Sequence, residues 1–174
     1  ETSLLLSQGR RLLVAGAEAL LRQLPRGTWI GGTIPYFMAA DGALRTESKL
    51  FVTQLPGLVE KASVKTYSAK ALPGLHPDAF DYGISFLILP AGSEAHLTYA
   101  CEAPSWPDLL LKPVVGWVSG VPVEQIGKRQ ALVFDGETLS AHAAEAVVMH
   151  LALPRTVTPT IDIVNIFEQG AGDA

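Results

Sequence analysis

Ile84-Ser85-Phe86-Leu87-Ile88-Leu89, closed by Pro90-Ala91-Gly92-Ser93, is the stretch that decides the fold. An apolar run of this length reads as a strand covered on both faces, because a strand with one wet face alternates with polar residues. Pro90 to Ser93 stops it. Ser93 is placed to cap a helix that opens at Glu94-Ala95-His96 and runs to about Cys101, where Pro104 and Pro107 stop it. The expected class is therefore α/β (α+β), a mixed sheet covered by helices, with residues 84–89 as its central strand.

Working outward, Asp108–Leu111 reads as a second helical stretch, leading to a strand Val114–Val118. Further strands are expected at Gln130–Phe134, Ala144–Leu153 and Thr160–Phe167, with a turn at Asp135-Gly136. Towards the N-terminus, Pro73–Asp81 reads as a loop, Ser63–Ala71 as a strand and Pro56–Lys61 as a short helical turn. Ser48–Leu55 reads as the return strand of a hairpin whose first arm is Thr28–Ala39 and whose turn is Asp41-Gly42. Leu6, Leu13, Ala17, Leu20, Leu21 and Leu24 follow helical spacing, so residues 3–24 are expected to form one helix packed on the sheet. Gly9 and Gly16 would lie on one stripe of it, where close approach offsets their helix cost of about 1 kcal/mol each.

The 174 residues fit one domain, 1–174, with halves at about 1–72 and 82–167 and a flexible tail at 168–174. Charged residues are 17%, below the usual quarter, and mean hydropathy is +0.27, which argues against disorder. The low charge points to surface buried in the core or against a partner. Thirteen Lys and Arg against 17 Asp and Glu leave no basic excess for phosphates, so no nucleic acid is expected. The apolar stretch 4–24 carries Arg10, Arg11, Glu18 and Arg22, and residues 114–123 are short and broken by glycine and proline. No membrane partner and no export signal are expected, and the reading is cytoplasmic.

The two halves look alike. In the first, helix and Leu-Pro lead to Trp29-Ile30-Gly31-Gly32 and a strand closing Gln54-Leu55-Pro56. In the second, Leu-Lys-Pro leads to Trp117-Val118-Ser119-Gly120 and a strand closing Ala152-Leu153-Pro154. An internal pseudo-duplication of a helix–strand–hairpin unit follows, with Trp29 matching Trp117 and Gly32 matching Gly120, and the two small-residue steps near each other. Glycines at strand ends expose backbone N–H groups and permit close approach, either of a ligand or of a neighbouring strand. The ligand reading gathers Trp29, Gly31, Gly32, Thr33, Tyr36, Trp117, Ser119 and Gly120, with His96 from the helix after the central strand. The packing reading makes the same glycines bulges beside core tryptophans. Neither a G-x-G-x-x-G nor a Walker pattern is present.

Pro113-Val114-Val115-Gly116-Trp117-Val118-Ser119-Gly120, then Ala131-Leu132-Val133-Phe134-Asp135-Gly136, then Ala146-Val147-Val148 and Leu151-Ala152-Leu153, is similar to the end of FIST N-terminal domains. Ile84–Leu89 with Ala91-Gly92 resembles the preceding strand and turn, so the likeness covers roughly residues 84–167. The resemblance implies a bacterial sensory domain that binds a small molecule such as an amino acid and signals through a protein partner. Some members bind haem, which makes haem a cofactor the resemblance implies, with His96 as the candidate ligand.

Catalytic and metal chemistry has little support. The histidines, His76, His96, His142 and His150, show no metal-ligand spacing. His150 reads as a partly buried strand residue with a hydrogen-bonded partner, His76 as a loop residue, and Cys101 as a buried thiol. Ser119 lacks the G-x-S-x-G elbow because Gly116 is three residues before it. No metal or catalytic residue is assigned. The rival readings are an enzyme using His96 or Ser119 in the same cleft, and a non-catalytic interaction domain or homo-oligomer.

Overall fold

The computed structural model describes residues 1–39, 42–107 and 111–162. The apolar run 84–89 lies in β7 (Gly83–Pro90). It lies between β11 (Ala146–Ala152) and β8 (Val114–Ser119), antiparallel to the first and parallel to the second. β6 (Lys61–Tyr67) completes a four-stranded sheet of order β6-β11-β7-β8. Ile84, Phe86 and Ile88 face one side and Leu87 and Leu89 the other, which is why the run is apolar at both parities.

The inward side meets a second sheet of order β10-β9-β2-β1-β5. Its strands are β1 (Leu12–Gly16), β2 (Trp29–Thr33), β5 (Leu50–Gln54), β9 (Val133–Asp135) and β10 (Ser140–His142). Leu13, Ile30 and Val133 from this sheet pack against Ile88, Val147, Met149 and Leu151 from the other. Its outer face, with Leu12, Val14, Trp29 and Phe134, is covered by α1 (Thr2–Ser7), α2 (Glu18–Leu21) and Leu24. The outer face of the β7 sheet is covered by a 3₁₀ turn (Ala69–Gly74), α3 (Leu75–Asp78) and α4 (Glu94–Glu102). The mixed α+β class stands, as two face-packed sheets with helical segments on both outsides. Ser93 caps α4 as expected, its hydroxyl accepting the His96 N–H at 3.1 Å.

The expected helix over 3–24 is the main correction. Helix α1 ends in a closed turn in which Gly9 N–H bonds Leu6 O and Arg10 N–H bonds Leu5 O, with Gly9 at φ +71°. β1 then begins at Leu12, covered on both faces, so its apolar residues fall at every position and mimic helical spacing. Gly16 is a strand end against Leu50, so the two glycines share no stripe.

Other boundaries shift. Thr28–Ala39 is two strands, β2 and β3 (Tyr36–Ala39), separated at Ile34-Pro35. The return arm of the hairpin is β4 (Gly42–Arg45), not 48–55, and β5 pairs with β1 instead. Residues 57–60 are turn and extended chain rather than helix, and part of the expected loop 73–81 is helical. β10 was not expected. Thr160–Asp162 is not strand, while residues 163–167, the tail 168–174 and residues 108–110 of the expected second helix lie outside the described residues.

A repeat is visible in strand order but not in the tryptophans. Each half gives a parallel pair joined through a helix, β1-α2-β2 and β7-α4-β8, with an antiparallel strand beside the first member, β5 or β11. Trp29 pairs with Leu12, the first residue of β1, and faces the helices. Trp117 pairs with Ile88, near the end of β7, and packs on the inter-sheet core. The repeated unit is thus strand–helix–strand with a flanking strand. The halves also exchange strands: β9 and β10 join the first-half sheet, and β6 joins the second.

Candidate functional site

Parallel strands leave their carboxyl ends on one side, and in sheets of this kind ligands bind beyond those ends. Here both parallel pairs deliver their ends to one place. Gly120, just past β8, donates its N–H to Thr33 O at the end of β2, at 2.6 Å, and Ala91 N–H bonds Ser119 O at 3.1 Å. A cleft of about 110 Å³ opens there, lined by Gly16, Glu18, Thr33, Pro35, Gly120 and Arg129 among others. A wider hollow of about 420 Å³, reaching Gly92 and Ser93 before α4, continues past the same Gly120 and Arg129.

The cleft wall carries three charged side chains, Glu18, Glu47 and Arg129. The Glu18 carboxylate accepts from Arg129 Nη2 at 2.7 Å and from Arg22 Nε at 2.8 Å. Those two bonds hold its pKa below the ordinary carboxyl value, Arg129 first and Arg22 second.

The expected site residues divide. Thr33 and Gly120 line the cleft, and the Thr33 hydroxyl accepts from Leu132 N–H at 3.0 Å, which fixes its rotamer. Gly32, Trp117 and Ser119 lie just beneath it. A Cβ on Gly32 would be 2.9 Å from Ile88 and from Ser119 Cβ, so this glycine permits sheet-to-sheet packing. The Trp117 Nε1 and Ser119 Oγ atoms are buried there without partners among the described residues. Trp29 and Gly31 lie away from the cleft: the indole is buried against α1 and α2 and donates to Pro25 O at 3.0 Å, and Gly31 packs on Val14 O. Tyr36 walls a separate apolar groove with Leu13, Phe37, Met38, Phe51 and Trp117, and its hydroxyl accepts Val123 N–H at 3.2 Å.

His96 is on the other face of the β7 sheet, beside an outer groove with Leu87, Leu89 and Tyr99. Its Nδ1 accepts Gly92 N–H at 3.2 Å, so the neutral ring carries its proton on Nε2. That nitrogen has no lone pair for iron, and the residues present do not fit an axially ligated haem. Ser119 and His96 therefore do not combine as nucleophile and base. Among the described residues no three His, Cys, Asp or Glu side chains cluster as metal ligands, and no helix is long and apolar enough to cross a membrane.

Glu18 and Arg129 were missed. The signal for Glu18 was Gly16-Ala17-Glu18 at a strand end, hidden by reading 3–24 as one helix. Arg129 sits in a long loop after Gly127, where the sequence offers no pattern.

Two other titratable residues depart from expectation, whereas His150 has the hydrogen-bonded strand position expected of it. Cys101 is exposed and His76 is buried in α3. His150 is fully buried with two partners. Its Nε2 lies 2.9 Å from Tyr67 Oη and its Nδ1 lies 2.7 Å from Ser85 Oγ. The Tyr67 hydroxyl donates to Asp78 at 2.8 Å, and Lys65 pairs with the same carboxylate at 2.8 Å.

No curated protein and no solved structure matches the chain. One family does, over residues 1–174, and the chain belongs to it: a family of unknown function, DUF6976.

Proposed function

We propose that this protein is a small-ligand-binding module that takes a zwitterion such as an amino acid in the cleft beyond β1, β2 and β8, and that it signals binding to a protein partner. The observation that carries the reading is the convergence of both parallel pairs on one cleft whose wall holds Glu18, Glu47 and Arg129. A ligand carboxylate would compete for Arg129, and its ammonium would sit against a glutamate. The cleft volume of about 110 Å³ suits a small molecule. The resemblance of residues 84–167 to FIST N-terminal domains supports the same class, and the apolar groove at Tyr36 and Met38 offers a surface for a partner.

The experiment is a melting-temperature series with each of the twenty amino acids. A ligand present at a hundred times its Kd adds about 2.7 kcal/mol, which raises the Tm of a domain this size by roughly 5–10 °C. The shift should vanish in Arg129→Ala, an exposed substitution. If no amino acid moves the Tm of the wild-type protein, the reading fails.

A further inference from the structure

A second histidine chain lies on the edge strand β10, next to Ala143 on the wall of the wider hollow. Ser140 and His142 are two apart on a strand, so their side chains share a face. Ser140 Oγ is 2.7 Å from His142 Nε2, and His142 Nδ1 is 2.6 Å from Glu145 Oε2. A carboxylate only accepts, so Nδ1 carries the ring proton and Nε2 presents its lone pair to the Ser140 hydroxyl. Thr138 Oγ1, 2.7 Å from Ser140 Oγ, then donates to that oxygen. The order is nucleophile, base and orienting acid, with the serine on Nε2 and the acid on Nδ1.

The other serine–histidine pair sets the contrast. Ser85 and His150 are sealed between sheet and helix, beyond the reach of any substrate. The His142 and Glu145 side chains are 21% and 41% exposed. Leu139, next to Ser140, is also the one non-glycine residue with positive φ, at 60°, among the described residues. A leucine held in that region stores strain, of the kind concentrated at functional turns.

We propose that Ser140, His142 and Glu145 form a surface acyl-transfer site that hydrolyses small activated carboxylic esters. Ser140 Oγ would bond the acyl carbon while its proton passes to His142 Nε2. The tetrahedral adduct would collapse by breaking the bond to the leaving alkoxide, which takes that proton and departs as an alcohol. Water would then attack the acyl-serine, giving a proton to Nε2. The acid leaves as Ser140 Oγ takes the proton back. β10 is the outermost strand of its sheet, and a backbone N–H directed to its free side would supply the donor to the oxyanion. Exposed Leu139 offers an apolar contact suited to a short acyl group.

The test uses the full chain with 4-nitrophenyl acetate and with a fluorophosphonate. The expected result is a burst of nitrophenolate and a covalent adduct mapped by mass spectrometry to Ser140. Ser140→Ala should remove both. His142→Gln should slow acylation by about 100-fold or more. Glu145 acts through the imidazole as a positioning residue, so Glu145→Gln should lower kcat with KM unchanged, and Glu145→Asp should restore part of kcat. Adduct mapping on the wild-type protein depends on no variant folding. The absence of a Ser140 adduct, or an adduct formed equally fast in His142→Gln, overturns the proposal.

Discussion

His150 is fully buried with a partner on each ring nitrogen. Asp78 can only accept from Tyr67, so the Tyr67 oxygen accepts from His150 Nε2–H and Nδ1 accepts from Ser85. Every group on this buried chain has a partner only while the ring is neutral. Burial pushes the His150 pKa down from 6.5 to about 4, outweighing the Asp78 charge that favours protonation. Burial and the Asp78 bond hold the Tyr67 phenol well above its usual range, and Lys65 holds Asp78 below its own. The sign for stability follows. The unfolded chain takes up the His150 proton first, so this contribution is intact above pH 6.5 and is lost as pH falls from there to about 4. The loss totals on the order of 3 kcal/mol. Urea melts at pH 7 and pH 4.5 should show most of it, and His150→Gln should flatten the difference between them. An unchanged pH dependence in that variant would mean that His150 does not titrate in this window.

At the scale of elements, two glycines at strand ends of the two facing sheets should behave oppositely. Gly32, inside β2, faces Ile88 and Ser119 at 2.9 Å, whereas nothing lies within 4 Å of a Cβ on Gly120. Gly32→Ala should cost about 1–3 kcal/mol by overpacking, and Gly120→Ala should leave stability within about 0.5 kcal/mol while narrowing the cleft. Paired thermal melts and amino-acid titrations of the two variants separate packing from binding; equal destabilisation would remove Gly120 from the cleft's open wall. The same contrast explains what the sequence could and could not convey. Residues 84–89 were legible because burial on both faces leaves one signature, and Ser93 because a cap needs a hydroxyl at one position. Residues 12–16 carry that signature too, but Leu6 and Leu20 continue its spacing on either side and a helix absorbs all of it. Thr33 and Gly120 were legible as small residues at strand ends. Trp29 and Gly31 share the pattern and lie on the same strand face as Thr33, but they sit four and two residues before it, packed against Leu21 of α2, and so fall short of the cleft at the strand's carboxyl end. Glu18 met Arg129 only through tertiary contact across 111 residues of chain, which no local pattern encodes.

For the whole molecule, the exchange of strands decides how the two halves depend on each other. The first-half sheet has β9 on β2, with Ile30 opposite Asp135 and Gly32 opposite Val133. The second-half sheet has β6 on β11 along seven residue pairs, from Ala146–Tyr67 to Ala152–Lys61. A fragment ending at residue 80 would keep β6 without its partner β11. It would also leave the β2 edge unpaired and expose Leu13 and Ile30, which the complete protein buries against Met149 and Leu151. Exposing side chains of this size costs about 1.5–3 kcal/mol each, against a total domain stability of roughly 5–15 kcal/mol. Residues 1–80 and 81–174, expressed separately, should therefore each lack a cooperative thermal transition. Mixed in equal amounts they should recover one, because the paired edges and the inter-sheet core form only together. Circular dichroism melts of each piece and of the mixture check this, and a fragment that melts cooperatively alone would show that the two strand sets fold as independent units.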